Sequence, residues 1–570
     1  MKKIFTARYG WILLLAALAG VNLLASRVHG RFDLTQEKRY TLSPATRRLL
    51  ENLDGPVRME VFLQGDFPAG FKKLANSVQE FLEQCQEESG GRLQFEFTDP
   101  LKNLTDSVAA RFMDSVDYFY HISRYVLQAP GKVGDELKQK VVLPGALLHY
   151  RDTTLGVDLL KGARNYGTDP EQLAALYNDV EATLEYKFAS AIQKITSRQK
   201  PRVGYALGNG EGWGYNVDDA VRTLIQDYRF DTVNLRRVPY ISSAIQALVI
   251  LKPTVPFTDA DKFKIDQYVM HGGRVFWMVD NMYAEFDSLY KSSGFIAYDR
   301  GLNLEDLLFR YGVRLNENLL QDMQCDKLGQ ISGDPNNPQT RLVDWPFFPI
   351  LNGTDHPISK NLDGVRAMFP NTLDTVRADG IRKTFLLRSS ANARILPAPA
   401  QVDFSFLQIA PDIREFTVHD TTVAALLEGR FRSLYTGRVP RAVADSLAAA
   451  GVPVKDQCDT ANKMIVVADG DIAMNQVSQQ YGPLPMGYNL YTRYTYANKE
   501  FFTNCLEYLL HPSGILETRA KEFTLRLLDP RKVREERTRW QLISLGLPLA
   551  LVVLAGALFQ GIRRRKFARG

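Results

Sequence analysis

The chain is 570 residues long, enough for two or three domains of ordinary size. A hydrophobic share of 45% and a charged share of 24% exclude a chain that is disordered throughout. A net charge of +6, with no basic stretch interleaved with aromatics and no zinc-finger or RNA-binding motif, excludes a nucleic-acid partner.

From the N-terminus, "YGWILLLAALAGVNLLA" runs from Tyr9 to Ala25 without a charge and follows Lys2, Lys3 and Arg8. It reads as a membrane anchor within residues 1–30. Ala17-Leu18-Ala19 has the small-x-small form of a signal-peptide cleavage site, which keeps a cleaved leader as the alternative. Apolar residues continue past that point and favour an uncleaved anchor.

Residues 31–165 read as a small α/β domain, thioredoxin-like in order. Ser43 is placed to cap a helix and Pro44 suits its first position. "VRMEVFL" is a predicted strand. Phe71, Leu74, Val78, Phe81, Leu82 and Cys85 form an apolar stripe at helical spacing, and "RLQFEFTDP" alternates as a strand before a turn. Two further strands are predicted in "KQKVVLPGALLHY". The domain lacks the CxxC pair that thiol redox chemistry requires. A polar patch, Lys161 to Pro170, marks its end.

Residues 171–515 read as a larger, flavodoxin- or amidotransferase-like domain with a parallel sheet. A helix is predicted over Glu171–Thr196. "RVGYAL", "TVNL", "ALVILKP" and "RVFWMVDN" are predicted strands, separated by helical patterns at Val217–Tyr228 and after the Thr258 cap. Continuous apolar strands alternating with helices argue for a sheet covered on both faces. Segments such as "FRSLYTG" predict a β-rich insertion near 389–438, and "KMIVVADGD" completes the main sheet. Asn498 is placed to cap a last helix ending near His511-Pro512.

Residues 516–540 read as a charged helical stalk. "LISLGLPLALVVLAGALFQGI" (Leu542 to Ile562) then makes a spanning helix, closed by Arg563, Arg564, Arg565, Lys566 and Arg569, within 541–570. Trp11 and Trp540 lie at aromatic-belt positions, and Pro548 is tolerable in a membrane helix. Basic tips at both ends predict two cytoplasmic termini, with the body from Gly30 to Arg539 on the far side of the membrane. Of the four cysteines, Cys85 and Cys505 read as core, and Cys325 with Cys458 as a candidate disulfide.

The chemistry-bearing residues cluster at predicted strand ends. "ALGNGEGWG" follows a strand, where α/β proteins bind ligands. Gly208 and Gly210 give G-x-G, but Trp213 stands where a dinucleotide fold needs glycine. Gly162 and Gly167 have phosphate-loop spacing, but Thr168 replaces the lysine. Glu211, Asp218 and Asp219 repel phosphate from the adjoining helix N-terminus. Two readings stay open, a structural turn and a site for a hydroxyl-rich or cationic partner. No G-x-S-x-G elbow, HxH or HExxH occurs in the sequence. Asp280-Asn281 ends a strand without an activated nucleophile. Asp469-Gly-Asp471 reads as a solvated turn, with a carboxylate metal contact as its rival, and His356 reads as structural.

Several blocks carry a resemblance across nearly the whole chain: "RFDLTQEKRYTLSPATRRLLENL", "VFLQGDFPAGFKKL", "GNGE", "YVMHGGRVFWMVD", "LVDWPFFPILNGTDHPISKNLDGV", "LLEGRFRSLYTGR", "GPLPMGYNLYTRYTYANKEFFTNCLEYLL" and "LRLLDPRKV". In this order they resemble the GldG family, the gliding-motility-associated auxiliary subunits of ABC-2-type transporters. That family usually has GHGE at the glycine loop, and Asn209 stands here in the histidine position. The resemblance implies a bacterial inner-membrane, two-pass protein of the Bacteroidetes with its bulk in the periplasm. It implies an ABC-2 permease subunit and a cytoplasmic ATPase as partners, beside the lipid bilayer and other gliding or type 9 secretion components. The α/β core also resembles amidotransferase-like and intraflagellar-transport-type domains that lack catalytic residues.

The expectation is therefore a non-enzymatic transporter subunit with no catalytic residue, no cofactor and no metal. Its candidate ligand- or partner-binding residues are Gly208, Asn209, Gly210, Glu211, Trp213, Asp280, Asn281, Asp469 and Asp471. The rival readings are a glycan-binding or envelope-scaffolding module, with Trp213 and Tyr215 as an aromatic platform, and an amidotransferase-like hydrolase.

Overall fold

The computed structural model describes residues 41–129, 138–160, 170–197, 199–292, 294–332, 339–404, 411–511, 514–520 and 530–567, with positions 15, 16, 18–20 and 22. The first apolar segment falls largely outside them, as do the boundary patch 161–169 with its glycine pair and residues 521–529 of the charged stretch. The chain divides into two compact units, Met1–Lys521 and Glu522–Gly570.

The first unit is mixed α/β, and its two largest sheets have four and ten strands. The smaller has four strands in the order Leu93–Phe97, Val57–Val61, Gly145–Tyr150, Thr153–Asp158, the first pair parallel and the others antiparallel. The helix Pro44–Glu51 begins as its sequence requires: Ser43 Oγ accepts the Thr46 N–H at 3.1 Å, and Pro44 occupies the first turn. The stripe Phe71, Leu74, Val78, Leu82 and Cys85 lies on helix Ala69–Glu88 and packs into the small core. A helix Asp106–Tyr120 and strand Tyr125–Ala129 intervene where no element was predicted.

Helix Pro170–Thr196, expected to open the larger domain, contributes its apolar face to the smaller core through Tyr177, Val180, Leu184, Phe188 and Ile192. Its other face is polar. Tyr186 Oη donates to Glu507 Oε2 at 2.8 Å, Ser190 Oγ donates to Glu507 Oε1 at 3.1 Å, and Lys194 pairs with Asp227 at 2.8 Å. One rod thus borders both sheets.

The larger sheet has ten strands. Five are mutually parallel, in the order Asn462–Val467, Arg274–Met278, Ala247–Leu251, Arg202–Leu207, Arg229–Asn234. "ALVIL" is buried at every position, as a strand covered on both faces requires. Helix Asp259–Met270 is opened by a full capping box between Thr258 and Asp261.

The sheet continues antiparallel through Thr422–Gly429, Ile381–Arg388, Gln339–Gly353 and Cys325–Ser332. Antiparallel structure therefore extends well beyond the insertion expected near 389–438, and Thr422–Gly429 is an inner strand of the main sheet. "FRSLYTG" is not a strand. Phe431 is a buried anchor, and Ser433 Oγ donates to Asp266 Oδ2 at 2.6 Å, so the alternation reflects side-chain anchoring in a turn. The last helix runs Asn498–Leu510 with Ala497 at its cap position. Asn498 is spent elsewhere, donating to Arg366 O and Ile472 O.

The start of the expected stalk is a 3-10 turn, Leu516–Ala520, in which Thr518 and Arg519 are buried. Arg519 Nε donates to Lys360 O at 3.1 Å. The candidate Cys325–Cys458 disulfide is not formed. All four cysteines are free, and Cys458 Sγ donates to Val269 O at 3.2 Å, while Cys85 and Cys505 are core as predicted.

In the second unit, helix Pro530–Phe567 contains the apolar stretch Glu536–Arg565, 30 residues with a mean hydropathy of 2.5 in its best window and none of that window buried. Its length and apolarity suffice to cross a bilayer. Among the described residues it is the one helix with that character.

Candidate functional site

The carboxyl ends of the parallel strands gather the predicted residues. The strand order reverses here: from Arg202–Leu207 the chain goes to the edge strand Arg229–Asn234, then returns to Ala247–Leu251 on the other side. Such a switch point opens a crevice between the loops leaving the two central strands. The glycine loop leaves one of these strands and Lys252 leaves the other.

The glycine loop is built as a turn. Gly208 and Gly210 have φ of 121° and 75°, and a Cβ on Gly210 would meet Thr254 Oγ1 at 2.1 Å. Asn209 is fully buried, and its carbonyl accepts the N–H groups of Thr254 and Val255, both at 2.9 Å. Its own N–H donates to Glu211 Oε2 at 2.7 Å, and burial raises the Glu211 pKa. Among the described residues the side-chain oxygens Asn209 Oδ1 and Glu211 Oε1 have no hydrogen-bond partner. Trp213 and Tyr215 stand outward, 59% and 72% exposed. Trp213 leans on the Tyr205 ring at 5.9 Å.

The next two strands converge on a different centre. Asp280, Asp469 and Asp471 each offer a carboxylate oxygen within 4.8 Å of the others. The predicted solvated turn at Asp469-Gly-Asp471 is corrected: Asp469 is fully buried and accepts Met368 N at 2.8 Å and Asp471 N at 2.7 Å. Among them lies Lys252, which sequence reasoning missed. Its Nζ is 2.5 Å from Asp471 Oδ1, 3.1 Å from Glu285 Oε2 and 3.2 Å from Asp280 Oδ2. Lys252 sits in the left-handed region at φ 46°. Arg300 closes the far side, 2.6 Å from Glu285. Asn281 takes no part; its N–H donates to Asn371 Oδ1 at 2.8 Å.

Electrostatics follow from burial and from the excess of carboxylates. Burial opposes the Lys252 charge, but Asp471, Asp280 and Glu285 outweigh it and raise the ammonium well above its usual pKa. Burial and the neighbouring Asp280 and Asp471 push Asp469 well above the carboxylate range. Burial, against the pull of Lys252, brings Asp471 up to about 7. Burial would also raise Glu285, but Lys252 and Arg300 hold it low. The Lys252 ammonium offsets part of the carboxylate charge at this centre.

A family model described as "ABC-type uncharacterized transport system" matches residues 200–505, which contain this sheet and both loop clusters. The chain belongs to that family. As an ABC transport-system auxiliary protein it carries a second match at residues 36–149, to a Domain of unknown function (DUF7088). No curated protein matches it. Among solved structures, the auxiliary protein is similar to the "mmIFT52 N-terminal domain" at 12% identity and a TM-score of 0.29, over 57% of this chain and all of that one. It is also similar to "Exo-beta-1,4-mannosidase Op5Man5 from Opitutaceae bacterium strain TAV5" at 10% identity and a TM-score of 0.17, over 86% of this chain and 56% of that one. At these scores neither bears on fold or function. Membership of an ABC transport system implies transporter partners, and with the apolar C-terminal helix it indicates membrane association.

Proposed function

We propose that this auxiliary protein is a non-enzymatic subunit of a GldG-type ABC-2 transporter, linked to gliding motility or type 9 secretion. It is held in a bacterial inner membrane by helices at both ends, with its body in the periplasm. Its partners are a permease subunit and a cytoplasmic ATPase. The carrying observation is the buried ion cluster at the strand ends beside an exposed aromatic loop. Lys252 is held by Asp280, Glu285 and Asp471, while Trp213 and Tyr215 face outward on the glycine loop that ends the adjacent parallel strand. Such an end supports contact with a substrate or partner through its rim better than proton transfer at its centre. Gentle affinity capture through a C-terminal tag, with photo-crosslinking from position 215, should recover a polytopic permease together with an ATP-binding subunit. A monomer under several mild detergents would sink the proposal.

The exposed aromatic pair also favours a second reading, a glycan-binding envelope module, because sugar rings stack on exposed aromatic faces. Quenching or shift of Trp213 fluorescence by cell-envelope polysaccharide, lost in Trp213→Ala, would favour it over the transporter reading.

A further inference from the structure

At the opposite, amino end of the parallel strands lies a cavity of about 390 Å³. It falls at the small end of the roughly 300–1,000 Å³ range of ligand pockets. Its walls include Tyr240, Ile241, Phe263, Tyr268, Val452 and Leu510. No carboxylate lines it, whereas Lys264, His271 and Arg274 do.

These three side chains differ in what they already bind. Lys264 Nζ donates to Leu235 O at 2.6 Å, and His271 Nε2 contacts Pro453 O at 2.8 Å. Burial lowers the His271 pKa, which keeps the ring neutral near pH 7. Arg274 is half-buried at the start of its strand, and its guanidinium forms no ion pair and no side-chain hydrogen bond among the described residues. Helices Asp259–Met270 and Asn498–Leu510 turn their carbonyl ends towards this edge, which explains why cations gather here. Arg274 nonetheless spends none of its five donors on those carbonyls. An unpaired guanidinium lining a space walled largely by aromatics, with Ser243, Gln246 and Gln267 as its neutral polar groups, is matched by a carboxylate on an apolar body, which it grips bidentately.

We propose that this cavity binds a small aromatic monocarboxylate, with Arg274 holding the carboxylate and Tyr240, Phe263 and Tyr268 flanking the ring. The site is separate from the carboxyl-end crevice and does not depend on the transporter reading. The probe is naphthoate, titrated calorimetrically into the full chain in lipid nanodiscs. A Kd on the order of 0.1 mM is expected for a ligand of this size. Naphthamide, of the same shape without the charge, should bind at least about tenfold more weakly, and Arg274→Gln should weaken naphthoate by a similar factor at unchanged thermal stability. Absence of naphthoate binding, equal binding of the amide, or an unaltered affinity in folded Arg274→Gln overturns the proposal. If Arg274→Gln does not fold, Leu447→Trp, which fills the cavity from a half-exposed helix position, takes its place under the same criteria.

Discussion

Replacing Lys252 by Met removes one cation from among three carboxylates while keeping the length of the stem. Lys252 Nζ lies 2.5 to 3.2 Å from Asp471, Glu285 and Asp280, and Asp471 and Asp280 are themselves buried or nearly so. Breaking a buried pair by deleting one partner costs about 3–5 kcal/mol, because the remaining charges lose their compensation. For a unit of this size that is a fall in melting midpoint on the order of 5 °C at pH 8.

The pH dependence follows from the sign of the shift. Asp471 titrates at about 7 in the fold, above its unfolded value, so the native state holds a proton that the unfolded chain releases. The stability from that proton is present in full below the unfolded pKa of about 3.9 and is lost as pH rises through about 7. Without Lys252 the carboxylates hold protons more tightly still. The deficit of the variant should therefore shrink as the buffer moves from pH 8 to 5.5, and Lys252→Met/Asp471→Asn should recover part of it at pH 8. Melting followed by tryptophan fluorescence, wild type beside variant at each pH, cancels contributions from other titrating groups. A variant within about 2 °C of wild type at pH 8, or one with equal deficits at both pH values, refutes the reasoning.

Gly210→Ala should destabilise the protein by about 2 kcal/mol or more, since φ is 75° and the new Cβ would lie 2.1 Å from Thr254 Oγ1; a Thr254→Gly background should return part of the lost melting temperature. All four thiols should be recovered by alkylation after unfolding without reductant. In the native state Cys325 and Cys458 should react slowly at pH 7.5, because burial pushes their pKa up to about 12 and about 11. His356 should stay neutral until about pH 4, since burial lowers it; stability from its neutral form is intact above about pH 6.5 and falls as pH drops towards 4, a slope that His356→Gln should flatten. Leu551→Arg, near the middle of the exposed apolar helix, should weaken membrane insertion of that segment by about 3 kcal/mol, readable in a glycosylation-based insertion assay.

Much of the larger sheet could be read from residue order because its signals are local. "ALVIL" and "RVFWM" are short continuous apolar runs, and Thr258 with Asp261 announces a helix start within four residues. The ion cluster was invisible for the opposite reason. Lys252, Asp280, Glu285 and Asp471 come from four separate loops, and the closest pair is 219 positions apart in the chain. A single lysine before a proline carries no mark of burial. "FRSLYTG" misled because alternation appears wherever every second residue is anchored, whether or not a neighbouring strand pairs with it. Helix Asp106–Tyr120 was missed because it buries little: Val116 is covered, while Tyr118 and Phe119 point outward. The glycine loop was legible as a turn, but which of its oxygens lack donors depends on the Thr254–Pro256 segment that folds over it.

Helix Pro170–Thr196 has a mechanical consequence. Its greasy side is packed into the four-stranded sheet, and its opposite side meets Asn504, Glu507 and Asp227 mainly through hydrogen bonds and an ion pair, with Tyr186 as the one apolar contact to the larger core among the described residues. A pull on the N-terminal half is therefore delivered to the ten-stranded half along a seam that water can lubricate and reseal. Sliding there exchanges one set of polar partners for another at small cost, whereas peeling the rod from its own sheet would strip a hydrophobic face.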